Sequence, residues 1–227
     1  MKKLITSIFV ISFVALNAQT GMLMGKTDIA EGSAFSNRIR SENSGGTLTY
    51  DDIIGSPYLN KMFADAKIAE NYEKVSVRYN SYADQVEFER DGQTLVLPKE
   101  SKFSRIEILS PKQTIVLLET NDEFSGYFFE VAAGPKYSLY KKLKTKFVDA
   151  VPANSSYTSD KPANFKLLDP VYYIKTDKGF IKKPRNQKDL ISQLPELKDS
   201  LTEFFKSNKI KFDKEEDLVK LVKFLNQ

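Results

Sequence analysis

The chain has 227 residues, 34 of them Lys or Arg and 30 Asp or Glu, and it contains no His, Cys or Trp. Those absences exclude a Ser-His-Asp triad, a Cys-His pair, a thiolate or imidazole zinc site, covalently attached haem and any disulfide. Carboxylates, Ser or Thr with Lys, Tyr and oxygen-ligand metals are the chemistries that remain.

Lys2 and Lys3 precede an apolar run over residues 4–16, and small Ala18 offers a cleavage point before Gln19. This is the pattern of a secretory signal peptide spanning residues 1–18. The run falls short of the roughly 20 residues a helix needs to cross a bilayer. No Cys follows it, so the exported product is not expected to be a lipoprotein. The mature chain is expected to be soluble, periplasmic or secreted, and without a transmembrane segment. Losing Lys2 and Lys3 lowers the formal net charge from +4 to +2, too balanced for a nucleic-acid partner. The charge is unevenly spread, at −6 over residues 19–135 and +8 over residues 136–227.

Residues 19–50 are rich in Gly, Ser, Asn and Thr and read as a flexible leader or loosely docked arm. A β-rich domain is expected over 51–183. Val75, Val77 and Tyr79 alternate with polar neighbours, as do Val86 and Phe88, and Asp91-Gly92 marks a tight hairpin to Leu95 and Leu97. Ile106 and Ile108, then 115–118 after Pro111, continue the meander. Residues 127–131 are almost wholly apolar, as in a strand covered on both faces. Over 137–147, Tyr137, Leu139, Leu143 and Phe147 face one way, while Ser138, Tyr140, Lys142, Lys144 and Lys146 face the other. Pro152, Pro162 and Pro170 punctuate an irregular stretch, in which Asn154-Ser155-Ser156 reads as a surface loop rather than a glycosylation site. Asp177-Lys178-Gly179 then turns a last hairpin.

From residue 184 the period is helical. Asn186 is a cap, Leu190 and Leu194 follow, and Pro195 opens a second helix carrying Leu197, Leu201, Phe204 and Phe205. Asp213 and Glu216 form a capping-box variant ahead of Leu218, Leu221, Val222 and Leu225. The predicted fold class is α+β: an antiparallel meander body of about seven to nine strands, barrel- or roll-like, with a helical tail over 184–227.

No catalytic pattern stands out. Asp51-Asp52 could act as a carboxylate pair, and Asn121-Asp122-Glu123 could bind a hard cation, but a solvated turn and an acidic hairpin tip explain them more simply. Tyr172-Tyr173 could stack on a sugar, with burial in a strand the simpler reading. No cofactor or metal is expected. The most specific candidate is Lys142, Lys144 and Lys146, which strand spacing would set on one exposed face for an anionic envelope component or protein partner. The competing reading is a charged edge strand that blocks unwanted pairing.

Six segments occur in order: Gly55-Ser56-Pro57-Tyr58-Leu59, Arg78-Tyr79-Asn80, Val86-Glu87-Phe88, Lys136-Tyr137-Ser138-Leu139-Tyr140-Lys141-Lys142, Lys161-Pro162-Ala163-x-Phe165 and Glu215-Glu216-Asp217-Leu218-Val219-Lys220-Leu221-Val222. Together, over residues 50–227, they resemble an uncharacterised family of exported Bacteroidetes-type proteins. The resemblance implies envelope export and a β-rich body with a helical tail, and it carries over no functional residue. The leading expectation is a non-catalytic envelope protein that binds or scaffolds. The alternatives are a carboxylate-dependent glycan or peptide hydrolase, and a carrier of an apolar ligand inside the β body.

Overall fold

The computed structural model describes residues 36–227, apart from 44, 70, 71, 73, 156 and 183. The expected signal peptide and residues 19–35 of the leader lie outside the described residues. The rest of the leader forms two short antiparallel strands, β1 (Arg38–Arg40) and β2 (Thr47–Thr49). Ten further strands build one antiparallel sheet: β3 (Ala64–Lys67), β4 (Val75–Asn80), β5 (Gln85–Arg90), β6 (Gln93–Val96), β7 (Arg105–Ile108), β8 (Gln113–Leu118), β9 (Gly126–Ala132), β10 (Ser138–Lys142), and, after an excursion, β13 (Val171–Thr176) and β14 (Gly179–Lys182). The excursion is a separate ribbon of β11 (Thr145–Val148) and β12 (Asn164–Leu167).

The sheet runs β14-β13-β10-β9-β8-β7-β3-β4-β5-β6. It does not close, since β14 and β6 remain as edges, but it curls strongly. Tyr79 on β4 and Phe129 on β9 lie four strands apart, about 19 Å on a flat sheet. Their rings nevertheless meet edge to face at 5.5 Å. The body is therefore an open roll. Its inner face holds Val77, Val86, Phe88, Ile106, Ile115 and Phe129 around Phe103. The β5–β6 turn is built as its residues require, with Asp91 and Gly92 both at positive φ (51° and 74°).

At the other end of the same face the helices take over. Helices α1 (Gln187–Gln193), α2 (Lys198–Ser207) and α3 (Glu215–Leu225) lay Leu190, Leu201, Leu218 and Leu221 on Leu139, Ile174 and Ile181 of β10, β13 and β14. Asn186 caps α1 by accepting from the Asp189 amide at 3.0 Å. Helix α3 starts without the expected Asp213–Glu216 box: Lys214 is its cap residue and makes no side-chain cap bond. Its first turn is instead docked through Glu215, which accepts from Lys141 at 2.7 Å and from the Tyr172 hydroxyl at 3.1 Å. At its far end the Asn226 amide accepts from the Lys136 and Tyr137 amides and donates to the Tyr137 carbonyl.

The outer face of the sheet has its own small core of Val116, Phe128, Tyr140 and Tyr173. The β8–β9 hairpin tip folds back over it. Asp122 there accepts from the Tyr173 hydroxyl at 2.6 Å, and Phe124 meets the Tyr173 ring. The β11–β12 ribbon and the β1–β2 hairpin share a fourth core of Ile39, Tyr50, Ile53, Ala163 and Phe165. Asp149 pins the two hairpins together, accepting from Ser41 Oγ at 2.6 Å and from the Glu42 amide at 2.8 Å.

Candidate functional site

The exposed three-lysine face expected from residues 142, 144 and 146 does not form, because the strand that would carry it is broken. β10 ends at Lys142, and β11 begins at Thr145 in a different sheet. Lys142 is buried, with 4% of its surface accessible, while Lys144 and Lys146 are exposed. The Lys142 Nζ donates to Asp84 Oδ1 at 2.7 Å and to the Tyr127 carbonyl at 3.0 Å, above the Phe128 ring. Burial pushes its amine below the usual lysine value, against the opposing pull of Asp84.

Asp84 is a hub. Besides Lys142 it accepts from Lys99 at 2.7 Å, from the Tyr79 hydroxyl at 2.8 Å and from the Tyr127 amide. Gly126 leaves the room, since a Cβ there would run into the Asp84 carboxylate. Desolvation, then the Asp84 charge, pushes the Tyr79 and Tyr127 phenols far above their usual range. A second carboxylate, Glu87, is fully buried and is held by Arg78 at 2.8 Å and by the Asn80 amide at 2.9 Å. Both acids are committed to neighbouring donors inside the fold.

The other acidic candidates are also engaged structurally. Asp52 accepts from the amide and hydroxyl of Thr49 and closes a short helical turn. Asp122 lies at the folded-back hairpin tip. Its partial burial opposes ionisation, but hydrogen bonds from Thr120, Tyr173 and Lys182 outweigh that and hold the carboxyl well below the usual range. Tyr172 and Tyr173 are buried in β13. Among the described residues, no group of three or more carboxylates is placed to hold a metal ion.

An apolar groove opens where the sheet parts. Tyr58 bridges Asn80, and Ala64 pairs with Val77. Residues 59–63 thus face only Arg78 and Tyr79, and the surplus chain bulges. On the outer side, Tyr58 and Phe63 clamp the Arg78 guanidinium, 3.9 and 4.4 Å from their ring centres. On the inner side, Leu59 and Met62 line a groove of about 300 Å³ with Val77, Tyr79, Ile108 and Phe129. Pro111 of the β7–β8 turn forms part of its wall, and Asn60 and Gln113 add neutral amides. Met62 is 73% and Leu59 42% exposed. Sequence reading missed this groove. Its one linear trace is a pair of apolar residues in a segment too turn-rich to be a strand.

A larger hollow of about 390 Å³ lies by Lys67, Lys102, Arg105 and Glu107. Two of its three cations already have acids, Arg105 with Glu130 and Glu107, and Lys102 with Glu100.

Comparison of the chain with protein-family models, curated proteins and solved structures finds no match.

Proposed function

We propose that the protein is an exported cell-envelope protein that works by binding, and that the groove beside Met62 takes up the apolar part of a small neutral ligand. Export is supported by Lys2, Lys3 and the apolar run over residues 4–16, in keeping with the resemblance described above. Among the described residues, no helix is long and apolar enough to cross a membrane. The observation that carries the binding reading is the exposure of Leu59 and Met62 above an apolar floor. Soluble proteins favour that arrangement where a partner will cover it, and the thioether of Met adapts readily to varied apolar shapes. The volume sits at the lower end of the range for small-molecule sites. The amides of Asn60 and Gln113 can orient a neutral polar group but offer no countercharge. Binding is favoured over carboxylate-dependent hydrolysis because Asp84 and Glu87 are spent on Lys142, Lys99 and Arg78.

The test uses the neutral fluorophore N-phenyl-1-naphthylamine. Saturable binding near one equivalent is expected, weakened at least tenfold in the double variant Leu59→Ser, Met62→Asp. Both positions are exposed, so the fold should be retained. Absence of saturable binding, or equal affinity in the variant, overturns the reading.

A further inference from the structure

Among the described residues, seven large hydrophobic side chains stand exposed, in two groups. Leu59 and Met62 line the groove and Leu109 follows its lining residue Ile108, whereas Val151, Tyr157 and Leu167 belong to the β11–β12 ribbon and its connections and Ile54 is bridged to that ribbon. That ribbon also carries exposed lysines. Lys146 and Lys166 lie directly opposite each other across the ladder and both are exposed. Their neighbours Phe147 and Phe165 turn inward against Tyr50 and Tyr82, so the lysines project from the outer side. Lys144 is exposed just before β11. No carboxylate among the described residues pairs with these three lysines, and the Lys144 Nζ lies 5.7 Å from the Phe124 ring centre. Like charges directly opposite in a ladder are destabilising. Ile54, 59% exposed, is bridged to Asn164 on the same ribbon, and Tyr157 stands fully exposed in the loop joining the two strands.

We infer that the outer side of the β11–β12 ribbon docks on an anionic lipid surface, with Lys144, Lys146 and Lys166 facing the headgroups and Ile54 and Tyr157 entering the interface. Charge complementarity selects an anionic surface. The apolar and aromatic side chains among the lysines select a lipid one, because Tyr and aliphatic groups gain by entering the headgroup boundary. This surface is separate from the groove and does not depend on its occupancy.

Co-sedimentation of the full chain with vesicles tests it. Vesicles of equimolar phosphatidylglycerol and phosphatidylcholine should bind the protein more tightly than pure phosphatidylcholine does. That difference should vanish in about 1 M salt, where the screening length falls to about 3 Å. Replacing all three lysines by Gln should weaken the anionic-dependent binding about a hundredfold, at the gain each Lys typically makes near such a surface. Replacing Ile54 and Tyr157 by Ser should weaken vesicle binding while leaving any attraction to soluble polyphosphate unchanged. Circular dichroism checks that each variant is folded. Equal binding to neutral and anionic vesicles overturns the inference, as does a lysine variant that binds like the parent and merely scatters more light. Preference for soluble polyphosphate over vesicles overturns it too, by pointing to a different partner.

Discussion

Asp84 joins segments distant in the sequence. It lies at the β4–β5 turn with φ +53°, a backbone region that Asp tolerates better than most residues. Through Lys99, Tyr127 and Lys142 it ties that turn to the loop after β6 and to the facing ends of β9 and β10. Truncating one partner of a buried ion pair leaves the other charge uncompensated, which typically costs about 3–5 kcal/mol. Asp84→Ala should therefore lower stability by about 3 kcal/mol in urea unfolding, because Lys142 stays buried. Lys142→Met should cost distinctly less, since Asp84 keeps Lys99, Tyr79 and the Tyr127 amide. Equal losses would mean that the amine itself, rather than the carboxylate hub, holds the turn. None of this was legible in the sequence. Asp84 is an unremarkable turn acid, and Lys142 looked like one of three surface lysines until the break at Leu143-Lys144 gave it a different environment.

At the scale of elements, alternation and turn chemistry were legible and strand breaks were not. The Asp91-Gly92 hairpin, the meander from Val75 onward and the Asn186 cap are all present, because each is set by local backbone preference. β1, β2 and β12 were not visible. They are three or four residues long and owe their form to the shared core of Ile39, Tyr50 and Phe165, a tertiary effect with no local period. The stretch 137–147 reads as one strand by alternation yet splits between two sheets, as periodicity cannot report a change of partner. The groove was hidden for the same reason, being made by two apolar residues of a bulge and the floor of other strands. The folded-back β8–β9 tip gives a pH test. Asp122 has a folded-state pKa below its ordinary value, so its contribution is present above the unfolded value of 3.8 and is lost as pH falls through the folded one. Asp122→Asn should accordingly lower the melting temperature most near neutral pH. The gap from the parent should shrink as the solution is acidified below about pH 4. A gap independent of pH would show that the carboxylate charge is not what secures the tip.

For the molecule as a whole, the sheet fills its inner face in two ways, by curling on itself over β4–β9 and by borrowing helices over β10, β13 and β14. An α+β class was readable from the order of the periods. What could not be read was whether the helices form an appendage or part of the core. They belong to the core, since Leu139 and Ile174 have no surface accessible beneath them. Removing residues 187–227 should thus uncover a contiguous apolar face and yield protein that aggregates. A monomeric product with a cooperative thermal transition would instead establish the β body as self-sufficient.

The Asp84 hub has a temporal side as well. The ladders β4–β5, β5–β6, β7–β8 and β8–β9 join neighbours in the chain and close short loops, whereas the hub needs residues 84 and 142 together, 58 positions apart. Long loops close late on the route to the native state. The clasp is then expected to form after the folding transition state, on completion of the roll. Interactions of that kind act as a brake on opening and leave the speed of assembly nearly untouched. For a protein read as working outside the cytoplasm, persistence in the folded form is set by how slowly the two ends of the roll part.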